Sequence, residues 1–126
     1  MRSLDTNVLV RLFTRDDQQQ FTAARFFLGV GAWVSHAVLL EFAWVLRHGY
    51  DFSHEAIADV IEELLNQDRL VIQEPDVVTA ALTHYRAKPS LGLADCMILE
   101  IARKAGHLPL GTFDRNLAKI DGAEKL

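Results

Sequence analysis

Short extended segments alternate with longer helical periodicities from one end of this 126-residue chain to the other. That alternation confines the chain to the α/β class rather than a segregated α+β arrangement. Arg2 to Leu4 reads as a strand, Asp5-Thr6-Asn7 as a turn and helix start, and Val8, Leu9, Leu12 and Phe13 as one helical face. A second helix begins near Asp16 or Asp17, sets Phe21, Ala24, Phe27 and Leu28 at helical spacing, and stops at Gly29. Trp33 and Val34 form a brief strand, and Ser35 caps a strongly apolar helix from His36 to His48 that Gly49 ends. Ser53 caps the next helix, which turns Ile57, Val60, Ile61, Leu64 and Leu65 to one side and Glu62, Glu63 and Gln67 to the other. Leu70 to Gln73 is a strand. Asp76 then caps a helix bearing Val77, Val78, Ala81, Leu82 and Tyr85, which Lys88-Pro89-Ser90 breaks. A helix from Leu93 to Ala105 ends at Gly106, and Leu108 to Thr112 supplies a strand with Pro109 at its start or on an edge. Asp114 follows at once and is expected near the start of another helix.

A chain of this length forms one domain, residues 1–126, and buries roughly two-thirds of the surface its unfolded form exposes. Half of the residues are hydrophobic and only seven are Gly and three Pro, which excludes a disordered segment. The most apolar stretch, Ala37 to Leu46, is interrupted by Glu41 and is about half the length a bilayer requires. No membrane association is expected. The start, MRSLDTN, lacks the apolar core of a secretory signal, so a cytoplasmic location is expected. Cys96 is the single cysteine and sits in an apolar helical run, where it reads as a small buried hydrophobe rather than a nucleophile. The five histidines contain no i,i+4 pair and no cysteine pairs accompany them, which argues against zinc.

Four acids stand out: Asp5 in LDTNVLVRL, Glu41 in HAVLLEFAWVL, Asp95 in LADCMILE and Asp114 in GTFDRNL. Asp5, Asp95 and Asp114 lie near expected helix N-termini, where capping alone accounts for an aspartate at a few tenths to about 1 kcal/mol. Glu41 differs, because apolar residues surround it on every helical face; it needs a partner, either an arginine such as Arg11, Arg47 or Arg103, or a cation. If the four converge, each carboxylate pair near ~5 Å repels by roughly 3 kcal/mol at an effective dielectric of ~20. Mg²⁺ or Mn²⁺ relieves that repulsion, since both prefer oxygen ligands and keep waters that can attack a phosphodiester. The net charge of −4 does not weigh against a nucleic-acid substrate: with these four set aside, the 17 acids fall to 13, equal to the 13 Lys and Arg.

LDTNVLVRL, the glutamate of SHAVLLEFAWVL, LADCMI and TFDRNL, in that order, resemble the motif series of PIN-domain ribonucleases. In spacing and length the chain is most similar to the VapC-type toxins of toxin–antitoxin pairs. The resemblance spans nearly the whole chain. It implies a PIN-like α/β/α sandwich around a short, mainly parallel sheet, a homodimer, and Mg²⁺- or Mn²⁺-dependent endoribonuclease activity. It also implies hydrolysis by a metal-activated water that leaves 5′-phosphate and 3′-hydroxyl ends. Asp5, Glu41, Asp95 and Asp114 match the family's catalytic and metal-binding acids, and Asn7, Thr112 and Asn116 its supporting positions. Thr6 reads as a turn or helix-start hydroxyl. Two departures touch strand packing: Arg2 and Ser3 stand in a first strand that is typically apolar, and Gly111 replaces a usual branched residue.

The resemblance further implies an antitoxin partner whose C-terminal segment covers the acidic pocket; the helices around Phe21 to Leu28 and Ile57 to Leu65 could supply the groove, which the sequence alone does not assign. Arg11 and Arg115 are the preferred RNA contacts within a larger pool of basic residues. Trp33, Trp44 and the phenylalanines fall at core periodicity and are expected to pack. Two rivals remain. A phosphatase or phosphotransferase with a strand-end aspartate lacks support, because Asn7 stands where haloacid-dehalogenase-like sites need a second aspartate. A non-catalytic PIN-like module would have no need of all four acids.

Overall fold

The computed structural model describes residues 1–126. It divides into two compact units, Met1–Gln73 and Glu74–Leu126. The first unit runs β1 (Arg2–Ser3), α1 (Thr6–Thr14), α2 (Gln18–Leu28), β2 (Ala32–Val34), α3 (His36–Gly49), α4 (His54–Leu65) and β3 (Leu70–Ile72). Its three strands form one parallel sheet in the order β1-β2-β3, with Arg2 beside Ala32 and Ala32 beside Leu70. The expected α/β class with a short parallel sheet is borne out.

Each helix of this unit begins where a side chain can satisfy its free N–H groups. The Asp17 carboxylate accepts from Gln20 N at 3.0 Å, and the Ser35 and Ser53 hydroxyls accept from Val38 N and Ala56 N, each at 3.1 Å. Each such cap is worth about 1 kcal/mol. Leu9, Leu39, Phe42, Leu46 and Ile61 are among the largest fully buried side chains, and each full burial contributes roughly 1.5–3 kcal/mol. The Phe13 ring meets Phe42 edge-on at 5.9 Å and Phe52 at 6.1 Å. Polar β1 is accommodated by α2, because the Arg2 guanidinium lies 4.7 Å from the centre of the Phe27 ring. At Gly31 the backbone adopts φ +156°, and a Cβ there would sit 3.2 Å from the Arg69 carbonyl oxygen. The absent side chain lets the chain enter β2 directly beside the start of β3.

The second unit contains α5 (Pro75–Ala87), α6 (Leu93–Ala105), β4 (Leu110–Thr112), a 3₁₀ turn (Leu117–Lys119) and β5 (Ala123–Lys125). α5 and α6 pack against each other extensively. Their inner faces bury Val78, Ala81, Leu82, Cys96, Met97 and Leu99. Helix α5 starts at Pro75 rather than behind a capping Asp76, since proline's fixed φ suits the first helical position. Asp76 lies in the first turn and instead accepts a hydrogen bond from Lys104 at 2.9 Å. The strand expected from Leu108 begins at Leu110, after a cis Leu108–Pro109 bond.

Strand β5 has no counterpart among the elements the sequence pattern predicts. It pairs in parallel with β4, Leu110 beside Ala123 and Thr112 beside Lys125, and this pair forms a sheet of its own. The pairing also accounts for Gly111: a Cβ at that position would lie 3.4 Å from the Leu126 side chain. The leucine occupies the space a branched residue would have used.

Candidate functional site

In the first unit, β1 delivers the chain to Asp5, and Asp5 leads into α1. Its Oδ1 accepts the N–H of Thr6 at 2.7 Å. An ordinary N-cap reaches two or three residues into the helix; this carboxylate satisfies only its immediate neighbour and leaves Oδ2 clear. Thr6 is 6% exposed, and its hydroxyl donates to Glu41 Oε2 at 2.5 Å, joining positions 35 residues apart. Asp5 and Glu41 are thus held to the same threonine, one through its N–H and the other through its hydroxyl. Asn7 is exposed at the next position of α1.

Two expectations are corrected here. Glu41 is exposed, because the buried side of α3 is formed by His36, Leu39, Phe42, Ala43 and Leu46. Its partner is a hydroxyl and not an arginine: Arg11 binds Asp16, Gln20 and Tyr50, Arg47 donates to the Phe52 carbonyl, and Arg103 donates to Glu100 and the Asp121 carbonyl. Thr6, read as a turn hydroxyl, is the residue that sequence reasoning missed. The available signal was a hydroxyl at the first position of a helix whose core must form around it, since a buried hydroxyl needs an acceptor.

In the second unit, Asp95 lies half-buried in the first turn of α6, with Gly92 at the N-cap and no hydrogen-bond partner on its carboxylate. A negative charge at that helix end is favoured by the backbone dipole. Next to it, burial first and then the Asp95 charge push the Cys96 thiol up to about 11, which makes it the inert core residue expected. Asp114 is held by local turn chemistry. Thr112 Oγ1 accepts from Asp114 N at 3.0 Å, and Asp114 Oδ1 accepts from Asn116 N at 2.8 Å and Leu117 N at 3.0 Å. The expected helix after Asp114 is reduced to one 3₁₀ turn, because Ile120 returns to extended backbone and Gly122 turns the chain into β5. Asn116 therefore meets Asp114 through its backbone N–H.

Residues 3–123 match the PIN domain family model. The chain belongs to the PIN-domain family. Across 125 aligned residues it is 27% identical to a VapC ribonuclease from Aquifex aeolicus (strain VF5), covering 95% of this chain and 92% of that protein. No solved structure matches the chain. The resemblance carried by the four motifs is borne out at the level of family and fold.

Neither unit of the PIN domain alone draws three or more His, Cys, Asp or Glu side chains into a group that could hold a metal. Each supplies two of the four acids. None of those acids is paired with a Lys or Arg. Asp5 Oδ2, Glu41 Oε1, Asp114 Oδ2 and both Asp95 oxygens accept no hydrogen bond. Carboxylate oxygens that no cationic side chain neutralises are the ligand type that Mg²⁺ and Mn²⁺ prefer, and in that respect the chemistry of each residue suits such an ion.

Asp16 and Arg11 are bound into a network. Asp16 accepts from Tyr50 Oη at 2.6 Å, Thr14 Oγ1 at 2.8 Å and Arg11 at 2.9 Å, and the Tyr50 hydrogen bond first, then Thr14 and Arg11, bring its carboxyl down to about 2. Arg11 is thereby committed to a structural network. Arg115, by contrast, is exposed beside Asp114 and unpaired. The first unit also carries a groove of about 850 Å³ whose lining mixes apolar side chains such as Leu12 and Phe21 with three arginines, Arg15, Arg25 and Arg69, and two acids, Glu63 and Asp68. No helix is long and apolar enough to cross a membrane.

Proposed function

We propose that this PIN domain is a metal-dependent endoribonuclease and the toxin of a type II toxin–antitoxin pair. The observation that carries the reading is the set of four family-matched carboxylates with no Lys or Arg paired to any of them, two already fixed through Thr6. In this reading residues 1–126 act as one domain, and Asp5, Glu41, Asp95 and Asp114 are the ligands of Mg²⁺ or Mn²⁺. When bound, the ion lowers the pKa of a water and neutralises charge on the scissile phosphate. Thr6 orients Glu41, Thr112 and the Asn116 backbone fix Asp114, and Asn7 lines the same helix start. Arg115 is the phosphate contact best supported, being exposed and unpaired. Because water attacks the phosphorus, the RNA 2′-hydroxyl is not chemically required, and RNA is selected by shape and unpaired bases.

The resemblance to VapC-type toxins, together with the groove of the first unit, supports an antitoxin partner. An apolar segment fits the Leu and Phe side chains of that lining, with both arginines and acids at hand to pair with its polar groups. A homodimer and a cytoplasmic location complete the reading.

The test is cleavage of total bacterial RNA by the purified, partner-free protein with Mg²⁺, with Mn²⁺ and with EDTA, beside Asp5→Asn and Asp95→Asn. Discrete metal-dependent fragments that both variants lack are the expected result. Absence of cleavage by a folded protein that binds no Mn²⁺ would overturn the reading in favour of a binding module. Hydrolysis of a phosphomonoester with capture of an aspartyl phosphate would favour the phosphatase alternative.

A further inference from the structure

We infer that the outward face of α3 carries a base-stacking shelf, Trp44 with His48, which receives an unpaired nucleobase of single-stranded RNA beside Glu41. The inference rests on the nuclease reading above and specifies the form of its substrate. Periodicity assigns Trp44 to the core, yet it is 63% exposed. The core-facing positions of α3 are already filled by Leu39, Phe42 and Leu46, each fully buried. The indole is not idle on the surface: its ring lies 4.6 Å, centre to centre, from the His48 imidazole, at an interplanar angle of 39°. Two flat rings are thus held together in solvent.

Their position relative to Glu41 decides the occupant. Residues 41, 44 and 48 follow the i, i+3, i+7 spacing that places side chains on one helical face. At a rise of 1.5 Å per residue, Trp44 and His48 stand ~4.5 and ~10.5 Å further along the axis than Glu41. A phosphate processed at Glu41 therefore has its neighbouring base within reach of the indole. The core of a protein-binding face is depleted of charged residues. Here its exposed neighbours along the helix are Glu41, Arg47 and His48. Base–aromatic stacking accepts any base and demands that the base be unpaired, so the shelf favours single-stranded RNA without reading its sequence.

The experiment is titration of an unstructured RNA octamer, with Mg²⁺, into protein carrying Asp95→Asn, in the background of native Trp44, Trp44→Phe, Trp44→Ala and His48→Ala. Tryptophan emission and the anisotropy of a dye on the RNA are followed. The octamer should quench tryptophan emission when Trp44 is native. Trp44→Ala should weaken binding about tenfold, Trp44→Phe less, and a blunt duplex of equal length should produce no quenching. In the protein with Asp95 restored, Trp44→Ala should raise KM for the octamer and leave kcat within about twofold. Unchanged KM and affinity in Trp44→Ala, with cleavage intact, would overturn the shelf and leave the nuclease standing. The same result with a change from dimer to monomer would assign the face to protein contact. No cleavage by the unsubstituted protein with Mn²⁺ would remove both.

Discussion

The two units hold their acids by opposite means. In Met1–Gln73, Asp5 and Glu41 are both held by Thr6, whose buried hydroxyl reaches Glu41 35 residues away, so their geometry depends on α1 packing against α3. In Glu74–Leu126, Asp114 is fixed by hydrogen bonds no more than three residues away, and Asp95 needs only the first turn of its helix. One pair is set by tertiary structure and the other by local chain chemistry. The difference predicts where the protein is vulnerable: loosening the first core should disturb the first pair before the second.

Removing the linking hydroxyl is the sharpest way to break that contrast. Thr6→Val keeps the volume and deletes the donor; RNA cleavage should fall by about 10–100-fold through lost orientation of Glu41, with weaker Mn²⁺ binding. Thr6→Ser should restore most of both, which a purely structural role for the methyl group would not allow. Thr112→Val removes the acceptor of the Asp114 backbone N–H and leaves both hydrogen bonds to the Asp114 carboxylate in place, so it should cost less than about tenfold. Equal losses in the two variants would dissolve the distinction between the units.

A smaller effect lies away from the acids. Asp16 ties α1 to the chain after α3 through Arg11 and Tyr50, and its carboxyl is depressed from 3.8 to about 2. A depressed folded-state pKa contributes stability that is present above the unfolded value and is lost as pH falls through the folded value. Urea unfolding followed from pH 5 down to pH 2 should therefore show a decline whose steepness is reduced in Asp16→Asn. The contribution is small, because the group is exposed and its partners are screened.

Much of this arrangement is legible in the amino-acid pattern itself. Asp5, Asp95 and Asp114 can be placed because they follow strand or turn signals, and Ser35 and Ser53 because a hydroxyl before an apolar run is a helix start. What the pattern does not carry involves contacts remote along the chain or faces that periodicity cannot rank. The Thr6–Glu41 bond spans two helices. Helix α3 is apolar nearly all round, so its pattern does not say that Trp44 and Glu41 face solvent while Phe42 and Leu46 face the core. Strand β5 is three residues long and mostly polar, and only its long-range pairing with β4 makes it a strand. Pro75 displaced the expected cap by two positions because backbone restriction outweighed the Asp76 signal.

The central claim is that the four unpaired carboxylates serve a divalent ion. The measurement closest to it is calorimetric titration of Mn²⁺ into EDTA-treated protein, unsubstituted and carrying Glu41→Gln, with melting curves to confirm both are folded. The account predicts saturable binding at one or two ions per chain that is abolished or at least about tenfold weaker in the variant. Binding that is absent from the unsubstituted protein, or unchanged by Glu41→Gln, would contradict it.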